Sequence, residues 1–289
     1  MDHLGGLDVC AINLDHRPDR WKHVDRHWIQ SGHIPQVKKF NAIKYPQRHR
    51  GCTLSHICAV LDYFATFPNK NDFLVMEDDA IPTLPVNPWR NRVELILSDV
   101  LNSKTTEQQW KAIVLSPLIS PGFLQIRQSS FVQNIAHIER GYNLSTALVL
   151  YNRRIIPFFE KWKQYYTAPR VKYTFGIDRL LSSHLSSKNE HFITNIPLAE
   201  QDPECGQDNP GAFLLSACVA AQTRSKIILH TIAKSKTKRQ SSYVLNGIYF
   251  SIIRNPFSLL SDLNFFLLFY IIFIVVVGLK KLVVDKPNI

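Results

Sequence analysis

One stretch limits the possible folds of this chain more than any other: an apolar run, Phe73 to Met76, that passes directly into Glu77-Asp78-Asp79. A run this short, made of large apolar side chains, reads as a buried strand. Three adjacent carboxylates at its end repel one another unless a cation joins them, which points to a hard divalent ion. In open α/β sheets ligands gather at the carboxyl ends of strands. A solvated acidic turn or a helix cap also accounts for a bare Glu-Asp-Asp. The buried strand before it and the Ala80-Ile81-Pro82 turn after it favour the metal reading.

Around that strand the pattern alternates. Asp8 to Leu14 predicts another buried strand, and Pro18 opens a helix carrying Trp21, Val24, Trp28 and Ile29 until Gly32 stops it. Val37 to Ala42 predicts a weaker strand. Thr53 to Phe67 predicts a helix with Leu54, Ile57, Cys58, Leu61 and Phe64 on one face, ended by Pro68. Further strands are expected over 112–115 and 145–151, and helices over 152–166, delayed by Pro157, and over 178–185. Strands alternating with helices argue for an α/β domain with a largely parallel sheet.

Charge is unevenly spread. The chain of 289 residues has a net charge of +11. From Arg224 onward there are ten Lys or Arg against two Asp, so eight of those eleven positive charges lie in the tail. The tail also holds an unbroken apolar run, Phe265 to Leu279, closed by Lys280 and Lys281. Counted from Leu263, the run is slightly under the roughly 20 residues of a spanning helix. A buried core helix is the alternative, but this run is apolar on all sides and flanked by Lys, which favours membrane insertion. Ile248 to Leu260 suits the membrane interface, and Lys234, Lys236, Lys238 and Arg239 suit anionic headgroups. No aromatic or groove-reading motif accompanies those cations, so nucleic acid is not the expected partner.

The expected organisation is a catalytic body over residues 1–223, a basic connector over 224–262 and an anchoring helix over 263–284. No signal peptide is read at the start, and basic residues precede the apolar run, so the positive-inside rule puts the body in the cytoplasm. Cys10, Cys52, Cys58, Cys205 and Cys218 are odd in number and scattered, which suits a reducing compartment. The sequon Asn143-Leu144-Ser145 would be idle there.

Two further motifs place polar groups near strand ends. Asn13-Leu14-Asp15-His16-Arg17-Pro18-Asp19-Arg20 joins the first strand to a helix start, where backbone N–H groups and arginines favour phosphates. Asp15 as a helix cap and Arg20 as a surface ion pair are the plainer readings. Gly51-Cys52-Thr53-Leu54-Ser55-His56 opens the second long helix; a glycine there lets backbone approach a ligand, and His56 can hydrogen-bond one. Helix capping by Thr53 explains much of this motif without a ligand.

Together, in this order and spacing, these motifs resemble glycosyltransferase family 25, the lipopolysaccharide and collagen-type galactosyltransferases. The resemblance rests on Asn13, Leu14, Asp15, Arg17 and Arg20; on Gly51, Cys52, Ser55 and His56; and on Leu74 to Ala80 with its Glu-Asp-Asp. It continues through Thr146 to Leu150 with Arg153 and Arg154, Ile177-Asp178, and Pro197 to Gln201, covering roughly residues 8–205. The chain departs from the family at Arg48-His49-Arg50 and in the Asp-Pro-Glu-Cys after Gln201, which bears on acceptor choice.

The resemblance implies a GT-A-like, single Rossmann-type nucleotide-sugar-binding domain, here followed by a hydrophobic helix. It implies inverting transfer of a hexose from a nucleotide-diphosphate sugar, UDP-galactose or UDP-glucose, to a glycan or glycolipid, with lipopolysaccharide as one candidate acceptor. Asp78 and Asp79 would hold Mn²⁺ or Mg²⁺ with Glu77 supporting. Asn13, Asp15, Arg17, Arg20, Gly51, Ser55, His56 and Gln201 would contact substrate. Asp178 would be the base, although capping of its own helix serves equally well. Two other classes stand beside this: a metal-dependent phosphohydrolase, and a non-catalytic membrane adaptor with a transferase-like body. We predict that a chain ending before Arg224 leaves the membrane fraction on cell fractionation; continued sedimentation with membranes would place the anchor elsewhere.

Overall fold

Alternation along the strands sets the architecture. In β1 (Val9–Asn13) and β3 (Asp72–Glu77), Val9, Ala11, Leu74 and Met76 enter one hydrophobic cluster. Cys10, Ile12, Phe73 and Val75 are equally buried and, by the two-residue period of a strand, face the other way. Strands buried on both faces need a layer on each. On the first face α1 (Pro18–Val24), the π-helical turn Asp25–Gln30 and α3 (Val86–Asn102) supply Val24, Trp28, Trp89, Val93, Ile96, Leu97 and Val100. On the second, α2 (Arg48–Thr66) packs against β1, β3, α4 (Ile156–Thr167) and α5 (Ile177–Leu185). Aromatic contacts seal that layer: Tyr63 stacks on Phe73 at 3.8 Å between ring centroids, and Tyr151 meets Phe159 edge-on at 5.4 Å.

The computed structural model describes residues 4–102, 110–118, 125–128, 135–140, 143, 145–168, 171, 175–186, 190–202 and 205. The chain divides into two units, Met1–Val244 and Leu245–Ile289, and every described residue belongs to the first. The expected basic connector and anchoring helix lie outside the described residues. Among those described, no helix is long and apolar enough to cross a membrane.

The remaining strands are β2 (Lys38–Asn41), β4 (Ala80–Pro82), β5 (Ala112–Val114), β6 (Gln125–Gln128), β7 (Ile135–Arg140), β8 (Leu148–Asn152), β9 (His191–Thr194) and β10 (Ala199–Gln201). Eight form one sheet in the order β2-β1-β3-β8-β5-β9-β7-β6, and β10 pairs with β4 in a separate ribbon. The domain is therefore mixed α/β. Parallel pairing joins β2, β1 and β3 and recurs between β5 and β9, while β8 lies antiparallel between β3 and β5. The expectation of a largely parallel sheet thus holds for the first three strands and gives way to mixed pairing at β8.

The second helix begins five residues before the expected Thr53. Arg48-His49-Arg50 is its first turn, because the Arg50 guanidinium is buried, donates to the Tyr166 carbonyl at 2.9 Å and lies 4.2 Å over the Tyr45 ring. Pro157 delays α4 as expected, behind a 3-10 turn at Arg153–Ile155. Helix α3 and strands β6, β7, β9 and β10 have no counterpart among the expected elements, and Ala80-Ile81-Pro82, expected as a turn, is strand β4 because it pairs with β10.

Two tryptophans fix the ribbon. Trp28 Nε1 donates to the Ala80 carbonyl and Trp89 Nε1 to the Leu198 carbonyl, each at 2.8 Å, with the two rings edge-on at 5.5 Å. A buried indole N–H needs a partner, so each ring carries one strand of β4–β10 with it.

On the rim of the second layer Tyr63 donates to Asp8 at 2.8 Å, with Lys38 and Lys70 at 3.1 and 3.3 Å. Burial raises the Asp8 carboxyl, and the hydrogen bonds from Tyr63, Lys38 and Lys70 outweigh it, leaving the group below its ordinary 3.8. A carboxylate so lowered contributes stability that is whole above its unfolded value and lost as pH falls through the folded one. Asp8→Asn is expected to flatten the acid side of the stability curve, read by thermal melts from neutrality to about pH 3; parallel curves for variant and wild type would contradict this.

Candidate active site

Two neighbouring strand ends build the site. β1 and β3 run parallel with Ile12 opposite Glu77, so Asn13 and the Glu77-Asp78-Asp79 turn emerge side by side. β2 lies on one side of β1 and β3 on the other, so chain order reverses there, the position at which open α/β sheets take their ligands.

Asn13 is fully buried and donates through Nδ2 to Asp78 Oδ2 at 2.7 Å and to the Arg17 carbonyl at 3.1 Å, while its Oδ1 has no partner. Arg20, on the first helix, places Nη1 at 3.2 Å from Asp78 Oδ1 and 3.4 Å from Asp79 Oδ2. Its Nη2 donates to the Cys205 carbonyl. Burial raises the Asp78 carboxyl against the lowering effect of Asn13 and Arg20. Burial, then Glu77, push the Asp79 carboxyl up to about 7, with Arg20 opposing. Asp79 Oδ1 is buried without a partner.

Glu77 serves a separate cluster. Its Oε1 accepts from Thr146 Oγ1 at 2.7 Å and lies 3.4 Å from His56 Nε2 and 3.8 Å from Cys52 Sγ. His56 is fully buried and its Nδ1 meets the Tyr151 hydroxyl at 3.0 Å. Burial pushes the Glu77 carboxyl up, and His56, Thr146 and Cys52 more than offset it. Cys52, His56 and Glu77 bring donor atoms within 4.8 Å of one another. Burial and then Glu77 hold the Cys52 thiol well above its ordinary range, and hydrogen bonds tie the three side chains together.

The remaining expected residues divide. Asp178 sits in the first turn of α5, its carboxyl raised by burial, lowered by the Arg179 backbone N–H, and within the fields of Glu77 and His56. A Cβ on Gly176 would collide with Asp178 Oδ1, so this carboxylate folds over its own helix start. Gln201 ends β10 opposite Ala80, beside the acidic turn, and Asp202 N–H donates to the Asp79 carbonyl at 2.7 Å. Gln201 also borders a shallow cleft with Ser116, Ser145, Pro197 and Glu200.

Four expected residues turn elsewhere. Asp15 pairs with Lys39 at 3.5 Å and is 72% exposed. Arg17 grips Asp19 at 2.8 Å on the surface, its carbonyl accepts from Asn13, and its charge helps lower the Asp78 carboxyl. Gly51 lies within α2 rather than before a helix, and a Cβ there would stand 2.6 Å from the Ile43 carbonyl oxygen. Ser55 Oγ accepts from the Ile43 N–H at 2.8 Å and donates to the Gly51 carbonyl at 2.7 Å. Gly51 and Ser55 therefore clamp the loop after β2 onto α2. The close approach that requires the glycine comes from the chain itself.

A divalent cation fits the acidic turn. The donors at Asp78 and Asp79 are oxygens, one of them buried and unpartnered, and Arg20 alone leaves Asp79 raised to about 7. Asp78 and Asp79 would hold the ion, while Glu77 Oε1 is already engaged by three groups. Thr146 was overlooked as a site residue; it reaches Glu77 only because β8 runs antiparallel to β3, which the sequence does not announce.

No known family pattern and no curated protein matches the sequence. Among solved structures, the fold is similar to that of a glycosyltransferase involved in the glycosylation of the major capsid of PBCV-1. That likeness has a TM-score of 0.45 and 6% identity over 78% of this chain and 98% of the other. The glycosyltransferase GlyE of Streptococcus pneumoniae TIGR4 gives a TM-score of 0.34 and 12% identity over 78% of this chain and 63% of its own. At such scores neither likeness decides what the chain does.

The clamp is directly testable. Gly51→Ala is expected to cost about 1–3 kcal/mol by overpacking, read from denaturant melts; stability equal to wild type would show that the loop does not need the glycine.

Proposed function

We propose that this chain is a divalent-metal-dependent glycosyltransferase that moves a hexose from a nucleotide-diphosphate sugar to a glycan or glycolipid acceptor. The observation that carries the reading is the buried, unpartnered Asp79 Oδ1 beside Asp78, at the strand ends where chain order reverses. When bound, a divalent ion there neutralises charge on a diphosphate leaving group.

The chain's own residues supply the rest. Asn13 and Arg20 hold Asp78 in one orientation, and Arg20 adds positive charge beside the position a diphosphate would take. Thr146 and His56 fix Glu77, which keeps the end of β3 rigid next to the ion-binding carboxylates. Asp178, raised by burial, is our candidate to take the acceptor proton, as an inverting displacement requires. The tail composition supports attachment of this body to the cytoplasmic face of a membrane, which suits a lipid-linked acceptor.

Calorimetry with UDP-galactose and UDP-glucose, with and without Mn²⁺, tests the reading. Ion-dependent uptake of a donor is expected, and Asp79→Asn is expected to lower kcat/KM at least about a hundredfold, about 2.7 kcal/mol of transition-state stabilisation. Its melting temperature should hold or rise, since a crowded buried charge is removed. Undiminished turnover by Asp79→Asn would remove the metal assignment. No ion-dependent uptake of any donor would leave the membrane adaptor as the better reading.

A further inference from the structure

A second group of ligating side chains stands apart from the Asp78–Asp79 oxygens. His23 lies in α1's last turn and His27 in the π-helical turn that follows, one helical turn further on. Their rings are 4.4 Å apart. The segment after β10 comes back against them: His23, His27 and Asp202 present donor atoms that all lie within 4.8 Å of one another. His23 Nδ1 is 3.6 Å from Asp202 Oδ2 and 3.6 Å from Cys205 Sγ, and Cys205 Sγ is 3.9 Å from Asp202 Oδ2.

The two separations from His23 Nδ1, 3.6 Å each, match the edges of a coordination tetrahedron; Cys205 Sγ stands slightly further from Asp202, at 3.9 Å, and His27 lies within 4.8 Å of His23 and Asp202. With zinc bonds of about 2.0–2.2 Å to nitrogen or oxygen and about 2.3 Å to sulfur, ligand atoms stand about 3.4–3.6 Å apart. The donor set, two imidazoles, a carboxylate and a thiol, is of the type that selects a borderline ion over Mg²⁺ or Mn²⁺. A π-helical turn inside an α-helix is itself uncommon and clusters at functional sites. Here it carries His27. Arg20 stands between this group and the acidic turn, reaching Asp78 and Asp79 with one nitrogen and the Cys205 carbonyl with the other.

We propose that His23, His27, Asp202 and Cys205 form a zinc site that pins the segment after β10 to the first helix. Four protein ligands close the coordination shell, so the ion is structural rather than a catalyst. It holds Asp202, whose N–H binds the Asp79 carbonyl, and Cys205, whose carbonyl binds Arg20. The site thereby braces the acidic turn without supplying an oxygen to it. It does not depend on sugar transfer.

The test uses the full, tag-free chain, stripped with chelator and titrated with Co²⁺ alone. The first equivalent is expected to bind with the intense visible absorption of tetrahedral cobalt and a thiolate-to-cobalt band, and one equivalent of Zn²⁺ should bleach both. His23→Ala and His27→Ala are each expected to abolish the visible absorption. Cys205→Ser should remove only the thiolate band, and Asp79→Asn should leave the spectrum unchanged. Weak, pale octahedral cobalt in the wild type would overturn the site, as would a spectrum that survives both histidine changes or disappears with Asp79→Asn. If a histidine variant fails to fold, the Cys205→Ser spectrum decides: an unaltered thiolate band places the ion elsewhere.

Discussion

Half-burying three consecutive carboxylates at a strand end is the demand the rest of this fold answers. Each acid is met from a different element: Asp78 by Asn13 of β1 and Arg20 of α1, Asp79 by the same guanidinium, Glu77 by His56 of α2 and Thr146 just before β8. A carboxylate removed from water is costly unless such partners stand ready. The elements that converge there are also those packed on both faces of the central strands, so the polar centre and the apolar core specify the same arrangement. Compensation is complete for Glu77 and incomplete for Asp79, and the proposed cation would supply what is missing.

Much of this was legible before any coordinates. β1, β3 and β8 are unbroken apolar runs with no competing helical pattern, and Pro18 and Gly32 bracket α1 with its π-helical turn. Helix α3 carried a readable stripe, Trp89, Val93, Ile96, Leu97 and Val100, but Pro85 and Pro88 around its start disguised it. The start of α2 was hidden for a different reason. Three basic residues look like solvent-facing loop, and only tertiary partners, Tyr45 and the Tyr166 carbonyl, make Arg50 a buried helical residue. The reversal of β8 was not legible, since alternating strands and helices argue only for parallel neighbours and an apolar run carries no sign of antiparallel pairing.

The site divided along the same line. Asn13, Arg20 and the acidic triplet lie at strand ends or on a helix facing them, so local position sufficed to bring them together. Asp15 and Arg17 belong to the same motif but point to Lys39 and Asp19, because the loop geometry between Asn13 and Pro18 sets their direction rather than their spacing. Gly51 and Ser55 show how a motif can be about packing: their partner is the Ile43–Tyr45 backbone. The scattered cysteines gave no hint of Cys205 beside His23, a proximity spanning 182 positions of chain.

The β4–β10 ribbon has a consequence for how the protein comes into being. Ala80 pairs with Gln201, so the backbone that shapes the acidic turn is completed by residues more than a hundred positions later. During synthesis β1, β2 and β3 emerge early, yet the indole of Trp89 has no Leu198 carbonyl to hold until almost the whole body has left the ribosome. A nascent or prematurely terminated chain would therefore carry its carboxylates in an unfinished cradle. The finished acidic turn is reserved for polypeptides translated past the second strand of that ribbon.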